Sequence, residues 1–113
     1  MAPSSDDLDA VELYWRPGCG FCSSLERQLR RAGIPLERRN IWEDPEAAAF
    51  VRAADRGNET VPTVAVGQVT LVNPSGPQVV AAVAESAPHL LPEGTEVPQL
   101  NRFQRTVRRL LGG

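Results

Sequence analysis

The sequence contains no lysine. All twelve basic residues are arginine, set against fourteen acidic residues and one histidine, for a net charge of −2. A chain so balanced carries no bulk positive field, which argues against nucleic acid as a partner. Long apolar runs are also missing: none reaches the roughly 18 residues that read as a membrane span. Residues 1–9 are acidic and serine-rich. They lack the basic-then-apolar order of a secretory signal, so a cytoplasmic location is expected. Cysteine is scarce, with two residues, too few for the disulfide framework of a small secreted domain. The single histidine, His89, lies far along the chain and cannot complete four zinc ligands with those two thiols. No metal ligand set is therefore assigned, and His89 reads as an ordinary surface residue.

What is present fits one modest domain. The chain has 113 residues, 42% hydrophobic and 23% charged, ordinary values for a globular protein. Residues 1–10 read as a mobile tail. Val11 to Trp15 reads as a strand, and Pro17-Gly18 ends it. Cys22, Leu25, Leu29 and Ala32 then recur at helical spacing, and Gly33 suits a helix stop. Leu36 to Ile41 is a second strand of poor alternation. Asp44-Pro45-Glu46 is a strong helix start, with Ala47, Phe50, Val51 and Ala54 as its apolar stripe and Gly57 as its stop. Thr63–Val66 and Val69–Val72 flank Gly67-Gln68, the composition of a type II′ hairpin. Asn73 to Pro77 forms a turn that caps a third helix carrying Val79, Val80 and Val83, which Pro88 ends.

The order β-α-β-α-β-β-α is that of an α/β thioredoxin fold: a four-stranded mixed sheet flanked by helices. Right-handed crossover makes the first two strands parallel, and the hairpin is expected antiparallel beside the first strand. The domain is assigned to residues 11–87. Residues 88–98 read as a proline-rich linker. Gln99 to Leu111 reads as an amphipathic C-terminal helix, its arginines Arg102, Arg105, Arg108 and Arg109 opposite an apolar face.

The chain is organised around Trp15-Arg16-Pro17-Gly18-Cys19-Gly20-Phe21-Cys22. A thiol at a helix start meets unsatisfied backbone N–H groups and the positive end of the helix dipole. Both favour the thiolate, which is the nucleophile. Cys19 holds that position. Cys22, one turn on and on the apolar stripe, is placed to attack a mixed disulfide formed at Cys19. Thr60-Val61-Pro62-Thr63 is the second element. X-Pro bonds accept the cis form at low cost, and beside a C-x-x-C pair a cis Val61–Pro62 bond is expected, turning the Val61 backbone to the dithiol, where an extended substrate can pair with it. Arg16 has two readings, a stabiliser of the thiolate that also holds a thiol cofactor's carboxylate, or a solvated surface arginine. Phe21 is either an apolar lip for substrate or a core residue.

At Cys19-Gly20-Phe21-Cys22 with Thr60-Val61-Pro62, the chain resembles the glutaredoxins, and within them most resembles the mycoredoxins of mycothiol-producing bacteria. The resemblance also covers Asp44-Pro45, residues 57–63 and Val72-Asn73-Pro74-Ser75, within residues 11–86. It implies a thiol–disulfide oxidoreductase with Cys19 as nucleophile, Cys22 as resolving or auxiliary thiol, and Arg16, Phe21, Thr60, Val61, Pro62 and Ser75 in contact with substrate or thiol. No cofactor is expected to be bound tightly. Mycothiol is the expected co-substrate, with S-mycothiolated or disulfide-bonded proteins as partners and a monomer as the working form. Glutathione is the weaker choice, because the stretch that usually supplies an acid to its glutamyl end reads Asn73-Pro74-Ser75-Gly76. Two alternatives remain open at this point. One is a [2Fe–2S] carrier of the monothiol glutaredoxin kind, although those end the motif in Ser. The other is a thioredoxin-like protein disulfide reductase, whose usual Trp-Cys-Gly-Pro-Cys stretch is absent.

Overall fold

A computed structural model of the protein describes residues 8–98. Four strands, β1 (Val11–Trp15), β2 (Leu36–Asn40), β3 (Thr63–Val66) and β4 (Val69–Val72), form one sheet in the order β2-β1-β3-β4. β1 and β2 run parallel, joined by helix α1 (Gly20–Arg31), while β3 lies antiparallel to both β1 and β4. Helix α2 (Pro45–Ala54) leads from β2 to β3, and α3 (Gly76–Ser86) follows β4. The hairpin turn has Gly67 at φ 61 and Gln68 at negative φ, the sign pattern of type II′.

Strand periodicity divides the core. Val11, Leu13, Val64 and Val66 face one way and pack with Leu25 and Leu29 of α1 and Val79 and Val83 of α3. Tyr14 and Ala65 face the other way and meet Ile41 with Ala47, Ala48 and Val51 of α2. Helices thus cover both faces of the sheet. β2 is an edge strand and buries little, which explains its weak alternation. On α2 the buried residues are Ala47, Ala48 and Val51. Phe50, placed on the apolar stripe by spacing, is instead partly exposed and stacks on Tyr14 with ring centroids 4.7 Å apart.

Both expected domain edges move outward. Pro88–Leu90 is a short 3₁₀ helix, and Leu90 is buried in the larger core cluster with Leu91 packed against it. Leu8 also packs on that cluster, and its carbonyl oxygen lies 2.8 Å from His89 Nε2. A linker beginning at residue 88 is therefore corrected: the apolar Leu90-Leu91 pair gains burial by returning to the sheet, which proline content alone did not reveal. Leu8, expected within the N-terminal tail, thus packs on the core instead, and residues 1–7 lie outside the described residues. The expected C-terminal helix lies outside the described residues.

Candidate active site

Strand β1 runs out at Trp15, and Gly18 at φ 81 turns the chain so that Cys19 becomes the N-cap of α1. A side chain that can accept suits this position, because the first amides of a helix have no partner within it. The Cys22 backbone N–H donates to Cys19 Sγ at 3.1 Å. Cys19 and Cys22 are joined as a disulfide, their Cα atoms 5.2 Å apart. Cys19 is 9% exposed and Cys22 3%, so an incoming sulfur meets Cys19 first. Gly20 bears no contact that a side chain would clash with, and Phe21 stands 77% exposed. The core reading of Phe21 is thereby set aside, and its side chain stands largely in solvent.

The Val61–Pro62 bond is cis, as the sequence context implied. The Val61 carbonyl oxygen lies 3.9 Å from Cys19 Sγ. Pro62 is buried, and its carbonyl accepts the Asn73 N–H at 2.8 Å. That bond ties the loop before β3 to the loop after β4, so residues 60–62 and 73–75 sit side by side. Thr63, fully buried, donates its hydroxyl to the Thr60 carbonyl at 2.7 Å.

Not every residue assigned to thiol contact offers its side chain. The Thr60 hydroxyl is turned toward α2 and donates to Asp55 Oδ2, leaving only its backbone to the dithiol side. Ser75 caps α3: its Oγ accepts the Gln78 N–H at 3.3 Å while its own N–H donates to Gln78 Oε1 at 2.9 Å. Arg16 is half-buried, donates to the Pro17 carbonyl at 3.1 Å, and lies 5.7 Å from the centroid of the Trp42 ring. Among the described residues no carboxylate forms an ion pair with it. Trp42 escaped sequence reading, since nothing local joins it to Cys19. The parallel pairing of β1 with β2 makes that connection.

A second polar cluster lies under α2. Tyr14 donates its hydroxyl to Glu12 Oε2 at 2.8 Å, and Arg39 Nε reaches the same oxygen at 3.3 Å. Burial, then the hydrogen bond and charge of Glu12, push the Tyr14 phenol well above its ordinary 10.0. Together with Asp44 and Phe50 these residues line an open cleft. On the other face of β1, the Arg38 guanidinium lies 4.1 Å from the Trp15 ring centroid, and the buried Trp15 Nε1 has no hydrogen-bond partner among the described residues.

A vicinal dithiol at a helix N-terminus, facing a cis-proline loop on a four-stranded mixed sheet, defines a thioredoxin-fold thiol–disulfide oxidoreductase. The comparisons agree. The glutaredoxin family model matches residues 11–71. Chains of two Mycobacterium tuberculosis strains, provisionally named glutaredoxins, are 35% identical over 79 residues, covering 69% of this chain and 94% of their own length. The hybrid peroxiredoxin hyPrx5 of Haemophilus influenzae is 30% identical over 67 residues, 59% of this chain and 27% of that protein. Among solved structures, a point variant of the thioredoxin-like protein BC3987 aligns at TM-score 0.50 and 19% identity, over 55% of this chain and 82% of its own, a likeness of fold. The chain belongs to the glutaredoxin family.

Proposed function

We propose that this glutaredoxin reduces protein mixed disulfides with mycothiol as its co-substrate. The observation that carries the chemistry is Cys19 Sγ at the N-cap of α1, accepting the Cys22 N–H at 3.1 Å with the Val61 carbonyl oxygen 3.9 Å away. In the reduced protein that amide and the helix dipole favour negative charge on Cys19. The Cys19 thiolate attacks the mycothiol sulfur of an S-mycothiolated protein. A Cys19–mycothiol disulfide forms, and the target leaves as a thiolate that takes up a proton. The thiolate of a free mycothiol then attacks that same mycothiol sulfur, releasing Cys19 and forming mycothiol disulfide. The extended segment of the target lies against the Val61 backbone, as an added strand would. Mycothiol enters as substrate, and no tightly held cofactor is required. The protein works as a monomer in the cytoplasm.

Selectivity for mycothiol over glutathione is supported by residues 73–76. Asn73 and Ser75 are exposed, and Ser75 is engaged in capping. The stretch holds no carboxylate to pair with a terminal ammonium. A dithiol route is the second reading, favoured by the Cys19–Cys22 disulfide itself: Cys22 displaces the small thiol from Cys19 and leaves the intramolecular bond for reduction. Replacing Cys22 by Ser separates the two. Given a mycothiolated peptide, Cys22→Ser is expected to turn over with mycothiol as sole reductant and at least tenfold more slowly with glutathione. Loss of all turnover assigns the dithiol route. Equal rates with both thiols overturn the mycothiol assignment.

A further inference from the structure

We propose that Trp42 determines specificity for the small thiol. Its indole, held beside Arg16, is the platform on which the sugar ring of a sugar-bearing thiol stacks while that thiol's sulfur reacts at Cys19. The inference rests on the mycothiol reading and deepens it.

Three observations converge. The ring is 64% exposed, yet its backbone is fixed. The Trp42 N–H donates to Asn40 Oδ1 at 2.9 Å, the Ile41 N–H to the Trp15 carbonyl at 2.9 Å, and the Glu43 and Asp44 N–H groups to the Asn40 carbonyl at 3.2 and 3.1 Å. Ile41, at 4% exposure, anchors the turn in the core behind it. The ring's position is the second point. β1 and β2 are parallel with Trp15 opposite Asn40, so the chain leading to Cys19 and the chain leading to Trp42 leave the sheet at the same carboxyl end. Crevices at that end are where open α/β sheets bind ligands. The third is Arg16, which bridges the two: its guanidinium lies 5.7 Å from the Trp42 centroid and also donates to the Pro17 carbonyl in the loop before Cys19.

This pair suits an uncharged polyol. Sugar C–H bonds, polarised by their oxygens, meet the negative face of an indole, and Trp42 is exposed to receive them. The guanidinium N–H groups left over after Pro17 are donors without acceptor capacity, matched to hydroxyl oxygens. Residues 73–76, on the loop beside Pro62, add the exposed Asn73 amide and no charge.

The test compares the first half-reaction on two versions of one peptide. One carries mycothiol in mixed disulfide; the other carries N-acetylcysteine methyl ester, which has the same reacting group and no sugar. Pre-reduced full-length protein supplies the electrons. Wild type is expected to prefer the mycothiolated peptide. Trp42→Ala lowers the second-order rate constant for that peptide by about tenfold, through weaker binding, and leaves the sugar-free peptide unchanged. Trp42→Phe, which keeps an aromatic face, stays within about threefold of wild type. A Trp42→Ala variant that keeps the preference overturns the proposal. So does an equal fall on both peptides, which assigns Trp42 to holding the loop or docking the protein substrate. If wild type itself shows no preference, the mycothiol reading fails before any substitution is made, and the inference falls with it.

Discussion

Tyr14 is the chain's single tyrosine, and its surroundings turn a residue-scale arrangement into a measurable titration. Burial and the Glu12 carboxylate hold its phenol protonated above the ordinary 10.0. From pH 10.0 upward the unfolded chain therefore binds fewer protons than the folded one. Stability then falls as pH rises through that range and is fully present below it. Tyrosinate absorbance in native protein is expected to stay absent at pH values where the denatured chain shows it in full. Glu12→Gln should bring the native titration only part of the way back, because burial, the first cause, remains. Full return to the denatured curve would show that Glu12 alone controls the phenol. At this scale the dithiol was legible in the sequence because its logic is local: two residues separate Cys19 from Cys22, and both ends of the cis bond stand in one tetrapeptide. Tyr14 with Glu12, and Arg16 with Trp42, were not legible. Each depends on burial or on strand pairing that brings distant residues together.

Elements were read best where a cap marked them. Asp44 accepts the Glu46 and Ala47 N–H groups at 3.0 and 3.2 Å, with Pro45 opening α2 behind it, the arrangement that Asp-Pro-Glu announces. Asp44→Ala is expected to cost about 1 kcal/mol in urea unfolding and to lower Tm by roughly 4–8 °C. Asp44→Asn keeps an accepting oxygen and should cost a few tenths of that. If both variants lose equally, the charge at the helix dipole outweighs the hydrogen bonds. The Ser75–Gln78 capping box explains why reading Ser75 as a ligand was incomplete. One hydroxyl in a Pro-Ser-Gly-Pro turn fits a thiol contact or a helix start equally well from sequence, and the geometry of α3 commits it to the second. Spacing likewise put Phe50 on the buried stripe of α2. The helix instead presents two alanines and a valine to the sheet, which lets it approach closely and leaves Phe50 to close over Tyr14 from the side.

At the scale of the molecule, the order of elements was enough to name the architecture, since a βαβ unit followed by a hairpin and a helix has few ways to bury both sheet faces. Its limits were less legible, because a proline-rich stretch looks like a linker whether or not its few apolar residues find a core. Here they do. Leu90 is 8% exposed within the cluster formed by α1, α3 and the sheet. Gly33, at φ 79 after α1, comes so close to Pro92 that an added Cβ would lie 2.7 Å from the ring Cγ. The segment after α3 thus packs on the core at the loop between α1 and β2, at the end of α1 opposite Cys19. Leu90→Ala in the full chain is expected to cost about 2–3 kcal/mol in urea unfolding, the range for emptying a buried leucine site. Gly33→Ala should cost at least about 1 kcal/mol from its positive φ alone, and more from the proline ring. Both variants should unfold in a single transition that reports loss of the whole domain. A cost near zero for Leu90→Ala would return residues 88–92 to the status of a linker. A separate early transition would make them a subdomain that opens without unfolding the dithiol site.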